Sequence, residues 1–465
     1  MSTAAAAASA TTSVFHANAS TSATMATQRA KHALLRTGKL FKDVSTPCYI
    51  PPTICGSVPH LTPDNCKKLP DLTTQMINFA DIFTSLDFVK KTKSDFRTFM
   101  NTQDYRLLLS ARDYIDDSNP ATSKAGNAIE TPRGRKLVTS KDLMDVASLM
   151  KPELILPLAD EINSSFGNNR QRSAVQSSLD WLDECLALER PEGTGICGVI
   201  VGGNDERLRL MSAAETCKRA VDAVIISGLD TCSDAAKRQQ LLGVVMDAVS
   251  PSAIPRLMSG IGHPTDVLDA IASGVDGFVS TYPADLTKEC SALVFWLDAE
   301  HDDVPECVKE REQSGSVLHL RETRFEKDFR PILHGCDCFA CKHYTRAYVH
   351  HLLNVREMLG DILVYMHNMH QYYRFFRVVR ESIDAGRFEE FKAAFDAKFV
   401  EKPSQAPPLA VPLAIKERRK ERDEEVEKER KHQQTEKAKK AAEHAAKQKA
   451  AAAKRKRSES QDAAE

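Results

Sequence analysis

What this chain of 465 residues lacks narrows its nature before any motif does. No apolar run approaches the roughly 18 residues that a membrane-crossing helix needs, so no such helix is expected. The N-terminal stretch has no apolar core, which excludes a secretory signal peptide. The 12 cysteines are spread singly apart from one cluster, unlike the short, cysteine-dense chains of secreted disulfide proteins. Mostly free thiols in a reducing compartment are expected. Neither sign of charge dominates, and a formal net charge of −1 points to no particular partner. That balance hides an asymmetry. No Asp or Glu precedes Asp43, although Arg29, Lys31, Arg36, Lys39 and Lys42 do. There is also no glycine between Gly56 and Gly126, so a close backbone approach to a flat ligand is not expected in that stretch.

The acid-free leader, residues 1–40, is rich in Ala, Ser and Thr. It reads as a disordered low-complexity extension, and its mild basicity also fits a mitochondrial transit peptide. At the other end, 401–465 opens with the Pro-rich KPSQAPPLAVPLA (402–414), a linker. A tail dominated by Ala, Glu, Lys and Arg follows. From Lys416 to Arg457 it holds 17 Lys or Arg against 9 Asp or Glu. Its helix propensity is strong, but it has almost no apolar residues to pack, so a solvated helix outside the core is expected.

The folded part is expected over 41–400. From 150 to 290, short apolar runs alternate with helical patterns: ELILPLA (153–159), ICGVIVGG (196–203), AVIISGL (223–229), PRLMSGI (255–261) and GFVST (277–281). Strands apolar on both faces and separated by helices imply a parallel sheet. Five of them at this rhythm favour a (β/α)8 barrel over an open doubly wound sheet.

The cysteine cluster is HGCDCFACKHYTRAYVHH (334–351). Cys336, Cys338 and Cys341 can wrap a loop around one face of a small cation. Tetrahedral zinc takes four ligands, and Cys3His is a common closed set. Spacing leaves four candidates for the histidine: His350, His351, His367 and His370. With all four positions filled by protein, no position stays open for water, so one structural Zn2+ is expected, in a subdomain over about 330–395.

CDCFACKHYTRAYVHHLL (336–353) followed by HNMHQYYRFF (367–376) resembles the zinc-binding section of the tRNA-guanine transglycosylases. In that family the last ligand is the His of the HN dipeptide, which falls on His367. SGIGHPTDVLDAIASGVDGF (259–278), SLDWLDECLAL (178–188) and GVIVGGNDERLRLMSAAET (198–216) are similar to its barrel segments. The resemblance covers about three quarters of the chain and implies a (β/α)8 barrel with a zinc subdomain. It also implies exchange of guanine for queuine at the wobble position of tRNA, through a nucleophilic Asp and a second Asp in acid–base chemistry.

The departures fall in the pocket. Where catalytic members read D-M-F-D-C-V with the second Asp as nucleophile, this chain reads Asp276-Gly277-Phe278-Val279-Ser280-Thr281. The nucleophile position becomes Val279, which has no lone pair to offer. The family's P-T-R becomes Pro283-Ala284-Asp285, and its base-binding Gln becomes Val201. The D-S-G-G-F-Q loop corresponds to a glycine-free region, roughly 96–113. One base-recognition Asp of the family corresponds to Asp160, which reads equally as a helix cap. No catalytic residue is therefore expected. The resemblance implies a non-catalytic subunit that pairs with a catalytic queuine tRNA-ribosyltransferase subunit as a heterodimer and helps hold tRNAs with GUN anticodons. It further implies a cytoplasmic protein associated with mitochondria, at the outer membrane. Two other readings are a zinc-stabilised RNA-binding protein unrelated to queuine, resting on the basic tail, and a self-sufficient transglycosylase whose nucleophile has moved to Asp276 or Asp285.

Overall fold

All five runs singled out by their apolarity are strands, and three earlier ones join them. In chain order the eight are β1 (Cys48–Ile50), β2 (Thr74–Asn78), β3 (Arg106–Ser110), β4 (Leu154–Leu156), β5 (Gly195–Ile200), β6 (Ala223–Ile226), β7 (Arg256–Ser259) and β8 (Gly277–Val279). The computed structural model describes residues 35–406, with breaks at 84–85, 93–94, 116–121, 124–125, 132–133, 164–165, 252, 296 and 298–312, together with the strand Phe15–Ala17. The rest of the leader, most of the Pro-rich linker and the charged tail lie outside the described residues.

Each strand pairs in parallel with its neighbour from β2 through β8, and β8 pairs back onto β1. The seam between β1 and β2 is closed just past β1: Thr53 N–H donates to Met76 O at 3.0 Å, and Met76 N–H donates to Pro51 O at 2.9 Å. This is a nearly closed eight-stranded barrel, and the open sheet is excluded. The crossovers after β3 are α1 (Ser140–Met150), α2 (Asn168–Ala187), α3 (Glu206–Cys217), α4 (Ala235–Val249) and α5 (Pro264–Ala272), and α6 (Tyr282–Lys288) follows β8.

Alternation along each strand divides the core. On β6, Ala223 and Ile225 join Met76, Leu154, Val199 and Leu257 inside the barrel. Val224 and Ile226 face outward to Leu241 and Val245 of α4. Because both faces are buried, most positions are apolar, which is why the later strands stand out in the sequence. Several crossover helices start from caps at the carboxyl ends of strands. Asp205 accepts from the backbone N–H of Arg207 and Leu208, and Asp234 from those of Ala236 and Lys237. Such caps are worth about 1 kcal/mol each.

At the amino end of β8, Asp276 is fully buried. Its carboxylate accepts from Arg36 Nε at 2.9 Å and Nη2 at 2.6 Å, and from the Arg256 backbone N–H at 2.8 Å. Burial pushes the Asp276 carboxyl up, and Arg36 pulls it back only in part. Leu40 is also fully buried, and Phe15–Ala17 pairs antiparallel with Gly38–Leu40, so the described end of the 1–40 leader packs with the barrel. The sequence could not show this, because the partner of Arg36 lies 240 residues away. Asp276→Ala leaves Arg36 without its carboxylate in a nearly dry site. A loss of about 3–5 kcal/mol is expected, readable as a lower urea midpoint.

Beyond the barrel, α7 (Phe339–His343), α8 (Arg346–Val355), α9 (Met358–Asp384) and α10 (Phe388–Lys398) follow the antiparallel pair Ser291–Leu293 and Val317–His319. The long α9 lies along β1. Tyr49 meets Tyr372 edge-on at 4.8 Å between ring centroids, and Phe278 on β8 meets Phe376 at 5.7 Å. Among the described residues, no helix is long and apolar enough to cross a membrane.

Candidate metal centre and the mouth of the barrel

The turn before α7 bends because Cys338 caps that helix: its Sγ accepts from the Cys341 N–H at 3.4 Å. This brings Cys336, Cys338 and Cys341 to one side of a tight loop. The fourth group comes from the middle of α9. His367 Nδ1 stands 3.9, 3.5 and 3.3 Å from the sulfurs of Cys336, Cys338 and Cys341. The four ligating atoms lie within 4.8 Å of one another.

The other three histidines are engaged elsewhere or exposed. His350 Nδ1 bonds Leu320 O at 2.8 Å, His370 pairs with Asp337 at 2.9 Å, and His351 faces solvent. Sequence spacing could not separate these four; the fold does, because of these four it is His367 that places a ring nitrogen against all three sulfurs.

The surroundings of the cluster suit a cation. His367 Nε2–H donates to Leu293 O at 2.7 Å, which leaves Nδ1 as the ligating nitrogen. Gln371, one turn further on, donates Nε2–H to Cys336 Sγ at 3.1 Å. Hydrogen bonds from Cys338 and Cys341 hold the Cys336 thiol far below its ordinary range. Burial pulls the His367 imidazole down, but the charge on Cys338 and hydrogen bonds from Cys336 and Cys338 overcome it and hold it up at about 10. Three sulfurs and one imidazole this close form the donor set of a divalent cation, which would bind them in their deprotonated forms and displace their protons. The set is closed, with four protein ligands.

Gln371 and Asn368 were not singled out from the sequence. The signal for Gln371 was available: four residues after His367 on a helix, it shares that residue's face. Asn368 accepts from Leu293 N–H at 2.8 Å and donates to Ser291 O at 2.9 Å and Thr287 Oγ1 at 3.1 Å. It fixes the helix that carries His367 to the strand beneath it.

At the carboxyl ends of the strands lies a cavity of about 260 Å³, lined in part by Arg112, Asp230, Ser259, Val279, Thr281 and Asp285. Val279 ends β8, fully buried among the barrel's interior residues. Asp285 accepts from Thr281 Oγ1 at 2.5 Å and from Lys288 Nζ at 3.0 Å. Asp276 is at the opposite end of the same strand, so the two alternative nucleophiles of the sequence reading are separated by the length of β8 and only Asp285 faces the mouth. Arg112 is ion-paired with Glu161.

The neighbouring space, between β4, β5 and β6, is filled. Asp160 is neither free nor a helix cap. Only 3% exposed, it accepts from Arg170 Nη2 at 2.9 Å, and the cap of α2 is Gly167. Arg209 is fully buried, and its guanidinium donates to Gly203 O at 2.9 Å and Ser227 O at 2.6 Å. Burial pulls it down to about 10, opposed by the charge of Asp230. Gly203 has φ +56°, and a Cβ there would come within 2.1 Å of Gln171 Oε1. The glycines beside Val201 thus accommodate the protein's own side chains. What remains is about 10 Å³, room for one water and not for a purine-sized base.

These features can be set beside known proteins. The family model described as queuine tRNA-ribosyltransferase matches residues 27–401. The chain is 31% identical to the queuine tRNA-ribosyltransferase accessory subunit 2 of Danio rerio, over 73% of this chain and 89% of that one. It is 30% identical to that of Gallus gallus, over 76% and 90%, and 28% identical to that of Homo sapiens, over 73% and 89%. The barrel, the Cys3His cluster and this match over most of the chain agree: the chain belongs to the queuine tRNA-ribosyltransferase family.

Proposed function

We propose that this chain is the non-catalytic subunit of a heterodimeric queuine tRNA-ribosyltransferase, supporting exchange of guanine for queuine at the wobble position of tRNAs with GUN anticodons. The observation that carries the reading is Val279. At the end of β8, where the resemblance sets the attacking carboxylate, stands a buried alkyl group. The filled space beside Asp160 supports it further. The relatives' shared name, accessory subunit 2, agrees.

A partner surface has candidates in the segment 329–358. Phe329, Tyr348, Val355 and Met358 are exposed there, beside the metal centre. Large apolar side chains gathered on one segment suit burial against a second subunit. Asp285, although in the mouth, is engaged by Thr281 and Lys288 and is a poor substitute nucleophile. We assign the Cys3His site to one structural zinc held by Cys336, Cys338, Cys341 and His367, because thiolate and imidazole donors in a closed set suit zinc.

Base exchange and metal binding both test this. Incorporation of labelled guanine into tRNA with a GUN anticodon is measured with this chain, a catalytic family member, and both. Exchange is expected only in the mixture, and robust exchange by this chain alone would overturn the assignment. For the metal, about one zinc per chain is expected by elemental analysis. Gln371→Leu removes the donor to Cys336 and is expected to weaken zinc binding by about 10–100-fold in a chelator competition, with the fold retained. Retention of zinc by Cys341→Ser at wild-type affinity would refute the ligand set.

A further inference from the structure

The run YYRFFRVVR at the end of α9 is mostly explained by packing. Phe375, Phe376 and Val379 are buried, and Tyr372 donates to Gly262 O at 2.6 Å. Tyr373 and Arg380 are not so explained. Tyr373 is 6% exposed, yet its Oη has no hydrogen-bond partner among the described residues. Arg380, two turns on and so on the same face, donates Nη1–H to Pro47 O at 2.8 Å. It meets no carboxylate within ion-pair distance among the described residues.

Both residues line one cavity of about 160 Å³. It sits at the amino-terminal rim of the barrel, against the starts of β1 and β2, and opposite the mouth. The charges facing it are uneven. Asp43 lines it, but its Oδ2 accepts from Arg106 Nε at 2.8 Å and Nη2 at 2.6 Å. Asp71 also lines it, and its Oδ2 accepts from Arg377 Nη2 at 3.0 Å. Glu381 reaches Arg380 only through its charge. The Cys48 thiol stays neutral, pushed up by burial to about 12. One oxygen of each acid in the wall is therefore engaged by another arginine, and Asp71, like Glu381, reaches Arg380 only through its charge. The Tyr373 hydroxyl is a buried donor without an acceptor among the described residues, and leaving such a donor unpaired is unfavourable. The occupant that removes this cost accepts hydrogen bonds and carries negative charge.

We propose that this cavity binds a phosphate group, held by the Arg380 guanidinium and the Tyr373 hydroxyl. The phosphate can be free or the end of a phosphomonoester, or it can be a phosphodiester of an RNA backbone; the donors see the same oxygens in each case. The site is separate from the mouth of the barrel and does not depend on the accessory-subunit reading.

The test is thermal unfolding of the full-length chain with inorganic phosphate, against chloride at equal ionic strength. Phosphate is expected to raise the melting temperature saturably. Arg380→Gln should weaken phosphate binding about tenfold or more, and Tyr373→Phe about three- to tenfold. The Tyr373→Phe chain should fold as the parent does, because the hydroxyl it loses makes no bond among the described residues. A wild-type chain indifferent to phosphate, or both variants binding it as tightly as the parent, would overturn the proposal. A salt titration of tRNA binding then separates the sources. If the phosphate belongs to RNA, Arg380→Gln flattens the salt dependence by about one counterion and phosphate competes with tRNA. If it is free, tRNA binding is unmoved while the phosphate response is lost.

Discussion

Two adjacent polar side chains, His367 and Asn368, sit fully buried within α9, the longest helix among the described residues, and a buried polar group must find partners or cost free energy. Here the partners are the backbone of one strand. Leu293 offers its carbonyl to His367 and its N–H to Asn368, and Ser291 accepts from the same Asn. Rotating α9 by one residue would leave both groups unsatisfied, so its register is fixed. That register delivers Nδ1 of His367 to three sulfurs on one side. On the other it lays Tyr372 and Phe376 against Tyr49 and Phe278, on the strands next to the barrel's seam. The metal centre and the packing of the barrel's wall are thus consequences of one dipeptide.

The other end of the barrel follows a different logic. In a barrel of this kind the loops after the strands build the site, and here those loops have turned inward on the protein. Asp160 is spent on Arg170, the guanidinium of Arg209 fills the gap between β5 and β6, and Gly202 and Gly203 make way for helices rather than for a ligand. At this end the protein's own side chains occupy the space between the strands, while the Cys3His cluster lies elsewhere in the fold.

Much of this was legible in the sequence, for identifiable reasons. The strands from Leu154 to Val279 are apolar on both faces, so their pattern is dense and unmistakable. The cysteine spacing announced a cation site, although only the fold, or resemblance, separates His367 from its three neighbours. The first three strands were harder to see. β1 is three residues long and runs into Pro51 and Pro52, and β2 and β3 are parted by short helices with no clear period. Long-range pairs were invisible. Nothing local in the leader marks Arg36 as the partner of Asp276, and nothing in LADEI says that Asp160 will meet Arg170.

The clamp between Arg36 and Asp276 bears on how the mature chain can be made. Whatever the leader does, its last few residues are part of the barrel's foundation, closing the amino end of β8. A processing peptidase that trimmed the leader would have to cut upstream of Leu35. A cut only two residues further on would strand a carboxylate in the wall of the barrel. The folded protein thus sets a limit on how far its N-terminal segment could be shortened without losing this pair.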